Sequence, residues 1–132
     1  MIVPDNFGGI ESQYSEYKNS KVVILPVPFE GTVTYGKGTS KGPKAIIEAS
    51  KNMELYDEEL EKNIFKIGIH TSGELKVSKD PKKTIDSLYE KTKDFLRDDK
   101  FIIILGGEHS ITQGSVRAFN EKIENLSVLQ ID

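Results

Sequence analysis

The sequence contains no cysteine, which excludes a disulfide framework and thiolate chemistry. Its 132 residues carry 18 basic and 21 acidic side chains, and the formal net charge is -3. The two signs are interspersed, so there is no basic face to attract nucleic acid or an anionic membrane. No apolar run approaches the length of a membrane span, and residues 1–5 lack the basic start and apolar core of a signal peptide. The composition predicts a soluble, cytoplasmic protein.

Two apolar segments each end on a residue type that commonly binds metals. Phe101 to Leu105 runs into Gly106-Gly107-Glu108-His109, and Leu126 to Ile131 ends on Asp132. Uninterrupted apolar runs are typical of strands that are buried on both faces of a parallel sheet. Binding sites of such sheets lie at the carboxyl ends of the strands. We therefore predict that His109 and Asp132 meet at one edge of a parallel sheet, with a helix over 110–120 between their strands.

An imidazole beside a carboxylate suits a divalent ion such as zinc, manganese or iron. Each residue taken alone has another interpretation. His109 can be a hydrogen-bonded structural residue, and Asp132 can be a helix cap or a turn residue. Only their combination on neighbouring strands favours a metal site.

Further strands and helices are predicted along the chain. Residues 1–20 have little periodicity and are expected to form an irregular arm. Two strands are predicted over Lys21–Val27, ended by Pro26 and Pro28 because proline cannot donate in a central ladder, and over Ile64–Ile69. Two helices are predicted to start at Pro43 and at Asp80-Pro81, the second continuing to Arg97.

A long glycine-rich loop, Phe29 to Lys41, follows the first predicted strand. Long loops at the carboxyl end of a strand are often functional, so this loop is a candidate wall of an active-site cleft. A flexible surface connection is the alternative. The spacing Gly-x4-Gly-Lys-[Ser/Thr] is absent, which argues against a nucleotide phosphate loop.

The sequence resembles the ureohydrolases, the arginase and agmatinase family, and within them the agmatinase-like branch. Leu105 to Ile111 is similar to the first metal-binding motif of that family, and Val128 to Asp132 resembles the strand that opens the second motif, Asp-Ala-His-x-Asp. Three N-terminal segments also fit in order and spacing: Pro26–Gly31, Tyr35–Thr39 and Gly42–Ile46. The resemblance implies a single α/β domain over 1–132, three-layered α/β/α with a mainly parallel sheet of the arginase/deacetylase type.

The resemblance also implies a chemistry. Family members hydrolyse a guanidino group, here agmatine to putrescine and urea, with arginine, guanidinobutyrate and formiminoglutamate as alternative substrates. Two manganese ions bridged by a water lower the pKa of that water and hold the nucleophile. His109 would bind one ion and Asp132 would bridge both. Relatives form homo-oligomers, commonly trimers or hexamers.

One departure from the family pattern limits what these residues can do alone. The sequence stops after the first Asp of the second motif, so the resemblance implies an N-terminal portion, incomplete at the C-terminal side of the sheet. We expect weak manganese binding and no turnover from the 132 residues alone. We also expect instability or self-association, because Leu126 to Ile131 would form an apolar edge strand. A non-catalytic piece that binds full-length subunits through that edge is an alternative.

Three other residues stand at or near the ends of the predicted strands. Glu108 is a candidate to orient the metal ligands from outside the metal's own shell, or else a carboxylate that favours the N-terminus of a helix. His70 is predicted to be a hydrogen-bonded loop residue and not a ligand. Ser110 is an improbable nucleophile because the Gly-x-Ser-x-Gly elbow is absent. No catalytic or substrate-binding residue is assigned.

Overall fold

The computed structural model describes residues 3–131, and their main feature is a small parallel sheet. Its strands are β1 (Val22–Val27), β4 (Ile69–Thr71) and β5 (Phe101–Gly106), in the order β4-β1-β5. A separate antiparallel pair, β2 (Tyr56–Asp57) and β3 (Lys62–Asn63), lies in the connection from β1 to β4. The α-helices are α1 (Ser12–Ser15), α2 (Gly42–Ser50), α3 (Pro81–Arg97) and α4 (Thr112–Lys122). The α/β class and the parallel sheet are confirmed.

The core is built on β1, whose six residues are all buried. Side chains alternate along a strand, so Val23, Leu25 and Val27 share one face, where they pack with Leu88 and Phe95 of α3. Burying one such aliphatic side chain contributes about 1.5–3 kcal/mol. Because this central strand is packed in the core, its carboxyl end and the start of the following loop have a fixed position.

Helix α3 begins and ends where the sequence predicts. The Asp80 side chain accepts a hydrogen bond from the Lys82 amide at 3.0 Å, and Pro81 occupies the first turn. Helix α4 crosses α3 closely at Gly114, where a Cβ would lie 2.7 Å from the Ile85 carbonyl oxygen.

Within residues 3–131, no helix combines the length and apolar character that crossing a bilayer requires.

The prediction that Pro26 ends the first strand is wrong. Pro26 lies inside β1, opposite Leu105 of β5. Its carbonyl accepts from the Leu75 amide at 2.9 Å on the β4 side. The N–H and C=O of a strand residue point to the same side, and β4 has already ended at Thr71. The missing N–H of Pro26 therefore removes no bond from either ladder.

The second predicted strand is also mostly wrong. Ile64–Ile67 forms a 3-10 turn, and only Ile69–Thr71 is a strand. The chain bends between them at Gly68, where φ is +85° and a Cβ would lie 2.5 Å from the Asn19 carbonyl oxygen. The N-terminal arm crosses at that point, because the Lys21 amide donates to the Gly68 carbonyl oxygen at 3.1 Å. Contact with the N-terminal arm therefore prevents this apolar run from forming one continuous strand.

The predicted burial of the strand before His109 is wrong, and so is the strand predicted over Leu126–Ile131. Phe101 is 67% exposed and Ile103 is 38% exposed. Residues 126–131 form no strand, and Ile131 is 90% exposed. In the described part of the chain β5 pairs with β1 alone, so its outer edge has no neighbour to bury it. Helix α4 follows roughly as predicted, starting at Thr112 after a 3-10 turn at His109–Ile111.

Candidate active site at the carboxyl edge of the sheet

The carboxyl ends of β1 and β5 lie side by side, and the contact continues beyond both strands. Val27 is paired with Gly106, the last residue of β5. The Gly107 amide donates to the Val27 carbonyl oxygen at 3.3 Å, and the Glu108 amide donates to the Phe29 carbonyl oxygen at 3.0 Å. The turn that carries His109 is thus bonded through its backbone to the start of the loop after β1.

Gly107 is required by this contact. A Cβ at Gly107 would lie 1.9 Å from the Phe29 carbonyl oxygen and 2.9 Å from the Phe29 nitrogen. Phe29 is buried in the core cluster, so moving it away from Gly107 would disturb the packing of that cluster. The turn after β5 is therefore a close approach of two backbones, which only a residue without a Cβ permits at position 107.

His109 is exposed at this edge. It is the first residue of the 3-10 turn His109–Ile111. Ile111, at the end of the same turn, is buried in the core cluster. The turn therefore anchors one end in the core and presents the imidazole to solvent.

Glu108 is buried and connects the two loops of the edge. Its carboxylate accepts from the Thr32 amide at 2.7 Å, from the Thr32 hydroxyl, and from the Ser110 hydroxyl at 2.5 Å. Burial would raise the pKa of Glu108, but the hydrogen bonds from Ser110 and Thr32 outweigh it and hold this pKa below the usual value. The side chain does not cap the turn that follows it. Its role towards a metal ligand stays a prediction.

Glu30 is a second organising carboxylate that the sequence analysis missed. One oxygen, Oε2, accepts from the amides of Gly38 at 2.7 Å and Ser40 at 2.9 Å. It also accepts from the hydroxyls of Ser40 at 3.1 Å and Thr39 at 3.2 Å. The bonds donated by the Ser40 and Gly38 backbones hold the pKa of Glu30 below its usual value. The sequence did contain a signal for this role. Glu30 is an acceptor at the start of a loop rich in N–H and hydroxyl donors, and loop amides need hydrogen-bond acceptors.

The described residues do not fit a two-ion metal centre. Within residues 3–131, no group of three or more His, Cys, Asp or Glu side chains lies close enough together to hold a metal. At this edge His109 offers one imidazole, whereas Glu108 and Glu30 already accept several hydrogen bonds each. Asp132, the predicted second ligand, lies outside the described residues. Its predicted meeting with His109 therefore stays a prediction.

His70 has a structural environment, as predicted, although it lies in β4 and not in a loop. Its Nδ1 donates to the Ser15 carbonyl oxygen at 2.9 Å. Its ring packs edge-on against Tyr17, with the ring centroids 5.3 Å apart. His70 thus fastens the N-terminal arm to the sheet. Ser110, rejected as a nucleophile, donates its hydroxyl hydrogen to Glu108.

This fold, with its candidate site at the carboxyl edge of a parallel sheet, agrees with a family match. Residues 20–132 match the arginase family, and the chain belongs to that family. It is 38% identical over 145 residues to an N(1)-aminopropylagmatine ureohydrolase of Synechocystis sp., covering 100% of this chain and 47% of that protein. It superposes on an agmatine ureohydrolase of Thermoplasma volcanium with a TM-score of 0.79 and 30% identity, covering 89% of this chain and 39% of the other.

A more distant neighbour shares the fold alone. It is a formiminoglutamase of Trypanosoma cruzi that was solved with Mn2+, and the match has a TM-score of 0.70 and 19% identity over 83% of this chain and 39% of the other. The chain thus spans less than half of the length of each of these three proteins. The sheet is correspondingly incomplete relative to the full-length neighbours.

Proposed function

We propose that a whole protein carrying this sequence hydrolyses the guanidino group of agmatine or of an N-substituted agmatine. Water adds to the guanidino carbon, the bond from that carbon to the substituted nitrogen breaks, and urea and an amine leave. The observation that carries the proposal is the exposed imidazole of His109 on a turn held at the carboxyl edge of the sheet, in a chain of the arginase family. Such edges are where parallel α/β sheets bind ligands.

The substrate proposal follows the relatives. The Synechocystis relative is named for N(1)-aminopropylagmatine, and the Thermoplasma neighbour is named for agmatine. Both compounds have a guanidino group at the end of an aliphatic amine. Arginine, guanidinobutyrate and formiminoglutamate carry a carboxylate that agmatine lacks, so a substrate panel separates these alternatives.

Manganese is proposed as the cofactor, with His109 as one ligand. Imidazole is a suitable ligand for first-row divalent ions, and the Trypanosoma cruzi neighbour was solved with Mn2+. Within residues 3–131 no group of three or more candidate ligands is found, so we expect the remaining ligands to come from outside these residues. We therefore expect the 132-residue polypeptide alone to bind manganese weakly and to release no urea.

The experiment measures release of urea by the whole protein from agmatine, N(1)-aminopropylagmatine, arginine and guanidinobutyrate, and of formamide from formiminoglutamate, with and without manganese. We expect manganese-dependent activity on the first two compounds and its loss in His109→Ala. His70→Ala is a matched control, because His70 bonds to the N-terminal arm. Absence of urea from both agmatine and N(1)-aminopropylagmatine, or full activity in His109→Ala, would overturn the proposal.

A second candidate function is assembly, and the exposed edge of the sheet favours it. The apolar side chains of Phe101 and Ile103 are exposed beside the outer edge of β5, and Leu129 and Ile131 are exposed in the following segment. Unpaired apolar edges invite association. We propose a subunit of an arginase-family enzyme as the partner. Co-elution of the 132-residue chain with such a subunit in size-exclusion chromatography tests this, and separate elution contradicts it. The trimeric or hexameric state of a whole enzyme stays a prediction.

A further inference from the structure

The loop after β1 is fastened at both ends by carboxylates. At one end, the four donors on Oε2 of Glu30 all come from residues 38–40, so this side chain closes the loop upon itself. At the other end, Glu108 accepts from the amide and hydroxyl of Thr32. A loop held in this way is ordered before any ligand arrives.

Between these two carboxylate contacts lies the tip of the loop, residues 33–37, of which 34–37 are exposed and Val33 is half-buried. Tyr35 at its centre is 97% exposed. Gly36 and Gly38 have φ of +71° and +117°, and a Cβ at either would meet nothing within 4 Å. These two glycines are explained by their positive φ angles and not by the close approach of another group. The hydrogen bonds accepted by Glu108 and Glu30 lie at the two ends of this tip.

The loop also lies next to the turn that carries His109. The Glu108 amide donates to the Phe29 carbonyl oxygen at 3.0 Å, so the start of the loop and the turn share a backbone bond. Glu108 links Thr32 to the residue adjacent to His109. Glu30 makes no hydrogen bond to His109 or to its turn in the described structure, and its four hydrogen bonds all go to the loop.

We propose that Glu30 is a positioning residue for substrate: it keeps the loop over 30–40 as a preformed wall beside the His109 turn. This inference rests on the proposed function, because it gives the wall a guanidino amine to bind. A preformed loop spares the ordering cost that binding would otherwise carry. Loss of Glu30 is therefore expected to weaken substrate binding and to leave the chemical step intact.

The first test concerns the loop alone and needs no activity. Amide hydrogen exchange is measured by mass spectrometry in the whole protein and in its Glu30→Ala variant, with Glu59→Ala, an exposed carboxylate in the β2–β3 turn, as the control. We expect the amides of Gly38 and Ser40 to exchange more than about tenfold faster in Glu30→Ala, while the Leu25 amide is unchanged. Unchanged exchange at Gly38 and Ser40 would overturn the inference.

The second test uses the whole enzyme. We expect Glu30→Ala to raise KM for the guanidino amine about tenfold, equivalent to about 1.4 kcal/mol, with kcat within about twofold. Glu30→Gln keeps an acceptor oxygen and is expected to fall between wild type and Glu30→Ala; it also serves if the alanine variant fails to fold. A fall in kcat at constant KM, or no change in either, would overturn the role of Glu30.

The two proposals fail in different ways. If the whole wild-type protein releases no urea while the exchange result holds, the proposed function fails and the loop fastening stands without a substrate. If the wild type is active and Glu30→Ala matches it in KM, the inference fails and the proposed function stands.

Discussion

Strands β1 and β5 are similarly apolar in sequence and very different in burial. Val22–Val27 is buried throughout, whereas Phe101 and Ile103 of β5 are exposed. β1 has a strand on each side, and β5 has one neighbour in the described part of the chain. An apolar run therefore identifies a strand, but its burial depends on which elements lie beside it.

The largest expected effect comes from one pair of isoleucines. Ile24 of β1 and Ile103 of β5 are partners across the parallel ladder, yet Ile24 is 1% exposed and Ile103 is 38% exposed. We expect Ile24→Ala to lower the free energy of unfolding by about 2–5 kcal/mol, since it leaves a cavity in packed surroundings. Ile103→Ala is the matched control, with an expected loss below about 1.5 kcal/mol. Urea denaturation measures both, and equal losses would break the comparison.

A somewhat smaller effect is expected where the two strands end. Gly107→Ala places a methyl group 1.9 Å from the Phe29 carbonyl oxygen, so one backbone has to move. We expect a loss of about 1–3 kcal/mol, as for other overpacked sites. Gly73→Ala is the control, because a Cβ there meets nothing within 4 Å. Thermal unfolding compares the two variants, and a Gly107→Ala protein as stable as Gly73→Ala would contradict the close approach.

The same contrast explains which elements could be predicted from sequence. The start of α3 at Asp80-Pro81 depends on local signals, a carboxylate cap and a proline, and it is confirmed. Strand β1 and the carboxyl-edge position of His109 follow from apolar runs that end abruptly. Each of these features is encoded within a few residues of where it occurs.

The errors are features that depend on contacts distant in sequence. Pro26 stays within β1 because β4 stops short of it, and the apolar run after Ile64 bends because the N-terminal arm crosses at Gly68. The bonds from Glu30 to residues 38–40 were missed for a different reason. Charge and spacing mark a carboxylate, but they do not tell which backbone amides a loop will turn towards it.

Because one side of β5 is exposed, a substitution there is expected to change the association of the chain and to have little effect on its folding. Phe101→Lys adds a charge to an unpaired edge, a common protection against edge-to-edge pairing. We expect the 132-residue chain to self-associate less after this change, with the free energy of unfolding altered by less than about 1 kcal/mol. Tyr35→Lys is the control, because Tyr35 is exposed on the loop and takes no part in the pairing of β5. Sedimentation velocity measures the effect, and the edge is not responsible if both variants associate like wild type.

The smallest expected effect is a local titration on the β1 side of the edge. Hydrogen bonds donated by the Ser40 and Gly38 amides hold the pKa of Glu30 below its usual value. A carboxyl whose pKa is lowered by folding stabilises the fold above its unfolded pKa, and that contribution is lost as the pH falls through the folded pKa. The loop over 30–40 is thus expected to keep its conformation from neutral pH down to about pH 4.3, the usual pKa of a glutamate, and to loosen below it. NMR of the Glu30 carboxyl carbon gives its midpoint in the folded chain and in urea. A folded midpoint at or above the unfolded one would mean that the loop after β1 is held by something other than this carboxylate.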